Sequence, residues 1–453
     1  VLDEKGAKEL VHDTLFPAWR EERERLDELN RWFRADNERI RIPRQSSPEH
    51  RALIDLAKSP WLRLVVSTLS QACIVSGYRT PDADDNSPAW EAWKRNGFDG
   101  RQTAIHRAAF TYGYSYVMEL PGVGAQGERL AVMRGVSPRH MTAVYRDPTQ
   151  DEWPVYAMRV EPVGDKWRLT LLDDEAAYTL MADAAGDGME LTDVAVHAVG
   201  VVPVVRYRNQ LDDDGYVEGE IEPYLPLAKR IDKTVYDRLM VQHHNSWKVR
   251  TIVGMSRPDD PEEEQRAKLK LRQDDLLIAE DPDTKIGTLP ETPLDGFLRA
   301  INEDVKDLAT ISQTPAYALT GDLVNLSADA IVAARHEFDA KVAERRLSLG
   351  MSHEQALRLA AHIEGDADGA ADFDARVIWE DTSVRSLAQA ADALTKLADG
   401  LQIPPAALWE MIPGVTQRTV EEWKSLRSES DALMQLNTLL AEQAEGLNAD
   451  GDD

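Results

Sequence analysis

The sequence predicts an α+β fold in which helices and antiparallel strands occupy separate stretches of the chain. Three observations predict it. Residues 1–111 carry apolar side chains at helical spacing, residues 112–221 switch to short alternating runs, and the chain from 222 onward returns to the helical period. At 453 residues the chain exceeds what one core ordinarily supports, so two or three domains, or one elaborated domain, are expected.

The N-terminal helices come first. "AWREERERLDELNRWFRADN" sets Trp19, Leu26, Leu29, Trp32 and Phe33 at helical intervals among charges. "SSPEHRALIDLAKSPWLRLVVSTLSQACIVSGYRT" reads as two helices, the first capped by Ser47 and the second opened by Ser59-Pro60. A further pair lies in "SPAWEAWKRNGFDGRQTAIHRAAFTYG".

From residue 112 the pattern alternates. "YGYSYVMEL", "RLAVMRGVSP", "MTAVYRDP", "WPVYAMRVE", "KWRLTLLDD" and "AYTLMAD" are short strands parted by turn clusters such as "DPTQDE" and "AAGDG". Connections this short imply hairpins and an antiparallel sheet, which "VVPVVRYRN" closes.

Helix resumes in "EIEPYLPLAKRIDKTVYDRLMVQHHNSW", where Leu227, Ile231, Val235 and Leu239 form a narrow apolar stripe. A compact segment follows with strand-like "RTIVGM", acidic "RPDDPEEE", then "DLLIAE" and "KIGTLP". Next, "PLDGFLRAINEDVKDLATIS" holds Leu294, Phe297, Leu298, Ile301, Val305, Leu308 and Ile311 on one face. Two single-stripe helices bracketing a small module suggest a stalk with a tip. Stripes so narrow point to a partner surface supplied by neighbouring copies. Beyond "TPAYALTGDLVN", Ser327 caps a long helix, and the C-terminal part is helical again before an acidic tail.

Charge sets the next limit. Lys and Arg number 52 against 80 Asp and Glu, a net charge of −28, whereas a protein that grips nucleic acid through its phosphates carries a basic excess. Tight DNA binding is therefore excluded, although a surface past which DNA slides is not. The single cysteine, Cys73, precludes an intrachain disulfide and lies in apolar "LSQACIVSG", where it reads as a buried thiol in a reducing compartment. The longest apolar run, "VAVHAVGVVPVVRY", is too short to span a membrane as a helix.

Candidate chemistry is sparse. "GVGAQG" matches the spacing of a dinucleotide loop, but a strand rather than a helix follows it, so it reads as a hairpin turn. The acidic clusters "DADDNS", "LDDDG" and "GDADGAADFD" lack a calcium loop's ligand pattern and read as solvated turns. His243 and His244, adjacent on a helix, diverge by about 100° and share no metal by local spacing. No catalytic residue, metal ligand or cofactor site is expected.

The ordered features resemble bacteriophage portal proteins of the Gp6-like class found in tailed phages. "WKRNGFDGRQTAIHRAAFTYGYSYVMEL" resembles that family's turn with an Asn, helix ending at Gly, and strand. "VGVVPVVRYRNQ" resembles its strand ending near Asn209, and "YLPLAKRIDKTVYDRLM" its first stem helix. "ISQTPAYALTGDLVNLSADAIVAAR" resembles the loop that leads through Ser-Ala-x-Ala-Ile into the long helix, and "VIWED" with "AQAADALTKLADG" the start of the C-terminal part. The match runs over roughly 80–450.

The resemblance implies a portal-like wing of helices plus an antiparallel β region, a two-helix stem, a small α/β clip, a long wing helix and a helical crown. By segment, 1–221 is the wing (helical 1–111, β-rich 112–221), and 222–248 and 293–313 are the stem helices. The clip is 249–292, the tunnel loop 314–326, the long wing helix with its connection 327–380, and the crown and acidic tail 381–453. It implies a ring, a dodecamer, at one capsid vertex of the virion, assembled in the host cytoplasm. Double-stranded DNA passes through that ring without tight binding. Implied partners are further copies of the chain, terminase, head-tail connector or adaptor proteins, and major capsid and scaffold proteins, with no membrane.

Residues carried over as the DNA-facing loop are Thr314, Pro315, Ala316, Tyr317, Leu319, Gly321, Asp322 and Asn325. Stem subunit contacts are Leu227, Ile231, Val235, Leu239, Phe297, Ile301, Val305 and Leu308, and the clip surface is Asp259, Asp260, Glu262, Glu263 and Glu264. Such a loop approaches a moving duplex without holding it, and each cation it lacks is one less phosphate contact to break. Two other classes fit the composition: an acidic hydrolase-like enzyme with a scattered carboxylate pair, and a scaffold that binds proteins through 249–292.

Overall fold

The computed structural model describes residues 2–36, 48–81, 83, 85–183, 185–246, 250–253, 285–288, 291–321, 328–380, 387–412, 414–415, 419–420 and 422–428. The chain divides into two compact units. One comprises 1–30, 64–223 and 328–453, the other 31–63 and 224–327.

In the first unit, α1 (Glu4–Leu10) is capped by Asp3, whose Oδ1 accepts the Gly6 N–H at 2.8 Å. A π-helical turn over Val11–Leu15 then leads into α2 (Phe16–Phe33). Strands β4 (Met141–Val144), β5 (Tyr156–Val163), β6 (Lys166–Leu172), β7 (Ala176–Asp183) and β8 (Glu190–Val196) form an antiparallel meander in chain order. Alternation puts Met158, Val160, Leu169, Leu171, Tyr178 and Leu180 on one face, where Ala7, Val11, Leu15, Phe16 and Trp19 cover them.

A three-stranded antiparallel sheet has β2 (Tyr114–Val123) between β3 (Arg129–Val136) and β9 (Val204–Arg208). The "GVGAQG" stretch is the β2–β3 hairpin connection, with Gly124 N–H bonded to the Glu128 carbonyl at 2.9 Å. One face carries Tyr114, Tyr116, Met118 and Val204, packed with Met141, Ala157 and Leu172 of the meander. The opposite face meets α6 (Phe98–Tyr112) and the long helix α10 (Ala328–Glu364).

Asn96, between α5 (Trp90–Arg95) and α6, completes the sheet's outer edge. Its Nδ2 donates to the carbonyls of Ala92 (2.8 Å) and Ala131 (2.9 Å), and its Oδ1 accepts the Met133 N–H at 2.9 Å. Gly97 (φ +63°) and Gly113 (φ +94°) bound α6 in left-handed conformations that disfavour a side chain. Asn209, at the end of β9, donates its N–H to the Gly113 carbonyl at 2.7 Å.

One pairing lies outside the alternating pattern. Strand β1 (Val75–Arg79) lies antiparallel to β12 (Arg376–Trp379). Its residues run on from the helical stretch that ends at Gln71, and its partner lies some 300 positions away, so no local period marks it. Cys73, just before β1, is fully buried, and burial pushes its thiol up to about 12.

In the second unit, α7 (Leu225–Asn245) packs against α3 (Pro48–Ala57) and against α8 (Asp295–Ile311). Ile54, Ala57 and Tyr236 form the buried centre of one contact, with Leu53, Val235, Leu239 and Met240 around it. Strands β10 (Arg250–Val253) and β11 (Lys285–Thr288) pair antiparallel, within the segment where "RTIVGM" and "KIGTLP" read as strand-like. Residues 31–63 share this unit, although chain order groups them with the wing.

Candidate channel segments

The narrow apolar stripes of α7 and α8 imply cover from neighbouring copies. The structure corrects this for the centre of each stripe. Ile231, Val305 and Leu308 are buried within the single chain, where α7 packs against both α8 and α3. Chain order assigns α3 to the wing and so leaves α7 without it. Leu227, Val235, Leu239, Phe297 and Ile301 are half-buried, whereas Leu298 and Ile311 stand 46% and 51% exposed.

Five of the six lysines and arginines on these helices are already engaged, whereas the Nε of Arg238 is buried without a hydrogen-bond partner among the described residues. Arg230 reaches Asp304 at 2.8 Å and Asp307 at 3.2 Å. Lys233 pairs with Asp237 at 2.5 Å, one turn along α7, and Lys306 with Glu303 at 2.9 Å on α8. The Lys229 ammonium lies 5.6 Å from the Trp32 ring centroid, and Arg299 donates to the Asp295 carbonyl at 3.4 Å. Apart from Asp304, the paired side chains are exposed, and such pairs contribute little stability. Their consequence is electrostatic, since the carboxylates beside Arg230, Lys233 and Lys306 offset charges that a phosphate would otherwise attract.

The end of α8 is a Schellman turn. The Thr314 N–H reaches the Ala309 carbonyl (2.9 Å) and the Gln313 N–H the Thr310 carbonyl (3.2 Å), with Gln313 left-handed at φ +51°. Ser312 and Thr314 are buried and their hydroxyls lie 2.9 Å apart. Pro315 then opens a short helix, α9 (Ala316–Thr320), closed by Gly321 at φ +73°. The segment expected to be a loop thus contains a helical turn, because Ala-Tyr-Ala-Leu follows a proline well placed to start one. Thr314, Pro315 and Leu319 are buried against their own chain, and the surface left is Ala316, Gly321 and part of Tyr317. Asp322 and Asn325, with Asp259, Asp260, Glu262, Glu263 and Glu264 of the expected clip, lie outside the described residues.

Charged groups that no local pattern marks sit in the first unit. Glu220, on the segment after β9, is clamped by two cations of α10: Lys341 Nζ at 2.5 Å and Arg345 Nε at 2.6 Å. Burial alone would raise the Glu220 carboxyl, but the two cations override it and hold it below its usual value. No sequence signal joins positions 125 residues apart.

The same unit has an open cavity of about 590 Å³ lined in part by Glu152, Ser348, Ser352, Glu354, Arg358 and Arg376. Its chemistry is structural. Ser348 and Ser352 donate their hydroxyls to the carbonyls of Arg208 (2.9 Å) and Arg206 (3.2 Å) in β9, so neither is set against a base. Glu152 pairs with Arg358 at 2.9 Å, and Glu354 lies 3.6 Å from Arg376.

Residues 12–433 match the family described as phage portal protein, SPP1 Gp6-like. The chain belongs to that family. This portal protein is 25% identical over 394 residues to the portal protein of Mycobacterium phage L5, covering 83% of this chain and 80% of the relative. It is 26% identical over 358 residues to the portal protein of Mycobacterium phage D29, covering 76% and 73%. Among solved structures it is similar to a chain described as the neck of a native GTA particle computed with C12 symmetry. That similarity has 13% identity and a TM-score of 0.43, over 80% of this chain and 91% of the other. A second, the neck of an empty GTA particle computed with C6 symmetry, has 13% identity and a TM-score of 0.41, over 82% and 95%. As a phage portal protein the chain is a virion component. Among the described residues, no helix is long and apolar enough to cross a membrane.

Proposed function

We propose that this portal protein assembles as a homo-oligomeric ring of twelve at one capsid vertex and acts mechanically rather than as an enzyme. Double-stranded DNA passes through the ring during packaging and ejection. The helices within 222–248 and 293–313 form its stem, 249–292 the clip, 314–326 the loop nearest the DNA, and 381–453 the crown. Terminase docks on the clip during packaging and head-tail connector proteins replace it afterwards, while the wing meets capsid and scaffold proteins.

The observation that supports a channel role is the state of five of the six lysines and arginines on α7 and α8. Lys229, Arg230, Lys233, Arg299 and Lys306 are each held by an aromatic ring, a carboxylate or a carbonyl. A duplex moving past must break every phosphate contact it makes, and each neutralised phosphate adds to the affinity that has to be overcome. Pre-paired cations, a net charge of −28 and the small residues of "TPAYALTG" keep that affinity low.

Native mass spectrometry of the purified protein, with negative-stain images of the same sample, tests the assembly. Rings of about a dozen subunits with a duplex-wide hole are expected, with or without added scaffold protein. A compact dimer lacking a channel under both conditions overturns the ring.

A further inference from the structure

A buried hydrogen-bond chain joins α10 to the three-stranded sheet, and its geometry fixes every proton. The carbonyl of Cys73 can only accept, so His106 Nδ1, 2.9 Å away, carries the hydrogen. A neutral His106 then has a bare Nε2, which accepts from His353 Nε2–H at 2.7 Å. His353 in turn has a bare Nδ1, which accepts from the Tyr207 hydroxyl at 3.0 Å. Both histidines and Tyr207 are fully buried. The chain therefore has one direction, from β9 through α10 to α6, and no free nitrogen for an added proton.

Nothing around it compensates a charge. Trp93 of α5 lies edge-on to His353 at 5.1 Å, and Trp379 of β12 lies 6.1 Å from His106 and 6.2 Å from His353. From β2 the chain is approached by Glu119, which shares the sheet face of Tyr207. Its two carboxyl oxygens are buried without a hydrogen-bond partner, and burial with the nearby Glu364 holds it neutral. From the turn before β1 comes the Cys73 thiol, also neutral and beside Arg346. Tyr78 of β1 is buried with its hydroxyl unpartnered. No carboxylate on these elements pairs with either imidazole among the described residues.

We propose that this layer is an acid-opened latch: proton uptake by His106 or His353 releases α10 from the β2–β3–β9 sheet before the molecule unfolds. An added proton turns the His106–His353 contact into two opposed N–H groups, or reverses the Tyr207 hydrogen bond and leaves an imidazolium in an apolar layer. Either costs more than exposing the ring to water, so the protonated state is the open one.

Burial lowers the His106 imidazole to about 4, and burial with the neighbouring His106 holds His353 well below its ordinary value, against 6.5 in the open chain. A folded value below the open one means that closure is complete above pH 6.5 and weakens as pH falls toward 4. Linkage makes opening on the order of 30-fold more favourable per histidine between pH 7.5 and 5.0. Over that range Glu220, held low by Lys341 and Arg345, stays ionised.

Hydrogen–deuterium exchange of the full chain, corrected for intrinsic rates, tests the latch. Peptides covering 345–361 and 203–209 should lose protection at least thirtyfold from pH 7.5 to 5.0, while peptides covering 156–172 of the meander change less than threefold. The double variant His106→Gln, His353→Gln keeps a donor and an acceptor at each position but does not titrate, and its α10 protection should change less than threefold. Where that variant does not fold at pH 7.5, each single variant must cut the wild-type loss at least threefold. Unchanged protection in the wild type, or an equal loss in the variants, overturns the latch.

Discussion

Arg345 donates its Nε–H to Glu220 at 2.6 Å, although the two lie 125 residues apart and neither is exposed. Lys341 sits one helical turn before Arg345 and takes the other carboxylate oxygen, so two cations share one anion inside the fold. Gly219 lets that anion in. A Cβ there would stand 2.3 Å from the Thr111 carbonyl oxygen at the end of α6. The backbone approach and the ion cluster are thus one construction, and it anchors α10 to the C-terminal end of α6.

Removing the anion takes the shared carboxylate away from two buried cations, of which Arg345 keeps only the exposed Glu344 as a carboxylate partner among the described residues, at 2.8 Å. Glu220→Gln is expected to cost about 3–5 kcal/mol, measured by denaturant unfolding at pH 7. Because the folded carboxyl sits below its usual 4.5, its contribution is complete above that value and fades as pH drops below it. The difference between wild type and variant should therefore shrink below pH 4.5. A constant difference down to pH 3 would count against the pairing.

Asn96 acts as a substitute strand for the outer edge of β3. Asn96→Ala orphans the Met133 N–H and the Ala131 carbonyl, for an expected loss of about 1–3 kcal/mol. Urea midpoints of the two proteins measure it directly, and a loss under half a kcal/mol would mean that water replaces the amide.

Gln313 holds a left-handed conformation that glycine adopts freely. Gln313→Gly should raise stability by roughly 0.5 kcal/mol, the relieved strain outweighing the added chain entropy. A decrease in the thermal midpoint would show that the Gln side chain contributes something to the turn.

Freeing Arg230 tests the channel reading. The pair Asp304→Asn, Asp307→Asn removes both of its carboxylates; Asp307 is exposed, and at the more enclosed Asp304 the amide oxygen can still accept from Arg230, so stability should change by about 1–2 kcal/mol at most. Assembly is expected to be unchanged and DNA translocation slower, read as packaged length against time. Wild-type packaging by this variant would argue that α7 and α8 do not line the DNA path.

Glu119 offers a stabilising change. Burial raises its carboxyl far above the usual 4.5, so folding is penalised as pH climbs above that value. Glu119→Met, similar in volume and apolar, should add about 1–3 kcal/mol at pH 7 and progressively less toward pH 4. A gain independent of pH would locate the penalty in packing rather than ionisation.

The order of helices and strands is legible because each long element has its own period. Trp19 through Leu29 advertise α2, and Tyr178 and Leu180 alternate with more exposed neighbours in β7. The "GVGAQG" hairpin turn is legible because an alternating strand, rather than a helix, continues the chain after it. Pairings between distant segments are not. Val75 and Trp379 share a sheet, and Glu220 and Lys341 share a charge, without any local pattern to join them. Burial of Ile231 and Val305 within one chain escapes the sequence for the same reason, since α7 and α8, which pack on each other, are far apart in the chain. Family resemblance supplies the portal reading, which composition alone leaves beside an enzyme and a scaffold.

The β1–β12 ladder also has a consequence in time. Ser76 bonds the carbonyl of Ile378, 302 positions later. On the ribosome, β1 emerges without a partner and waits while the whole of 224–327 is made. At translation rates of ~5–20 residues per second the wait is about 15–60 s. The inserted unit has all its own later segments by then and can close first. The first unit cannot finish until β12 emerges. A nascent chain halted before Arg376 therefore presents an unpaired strand to solvent, and chaperone occupancy should peak there and fall once Trp379 has cleared the exit tunnel.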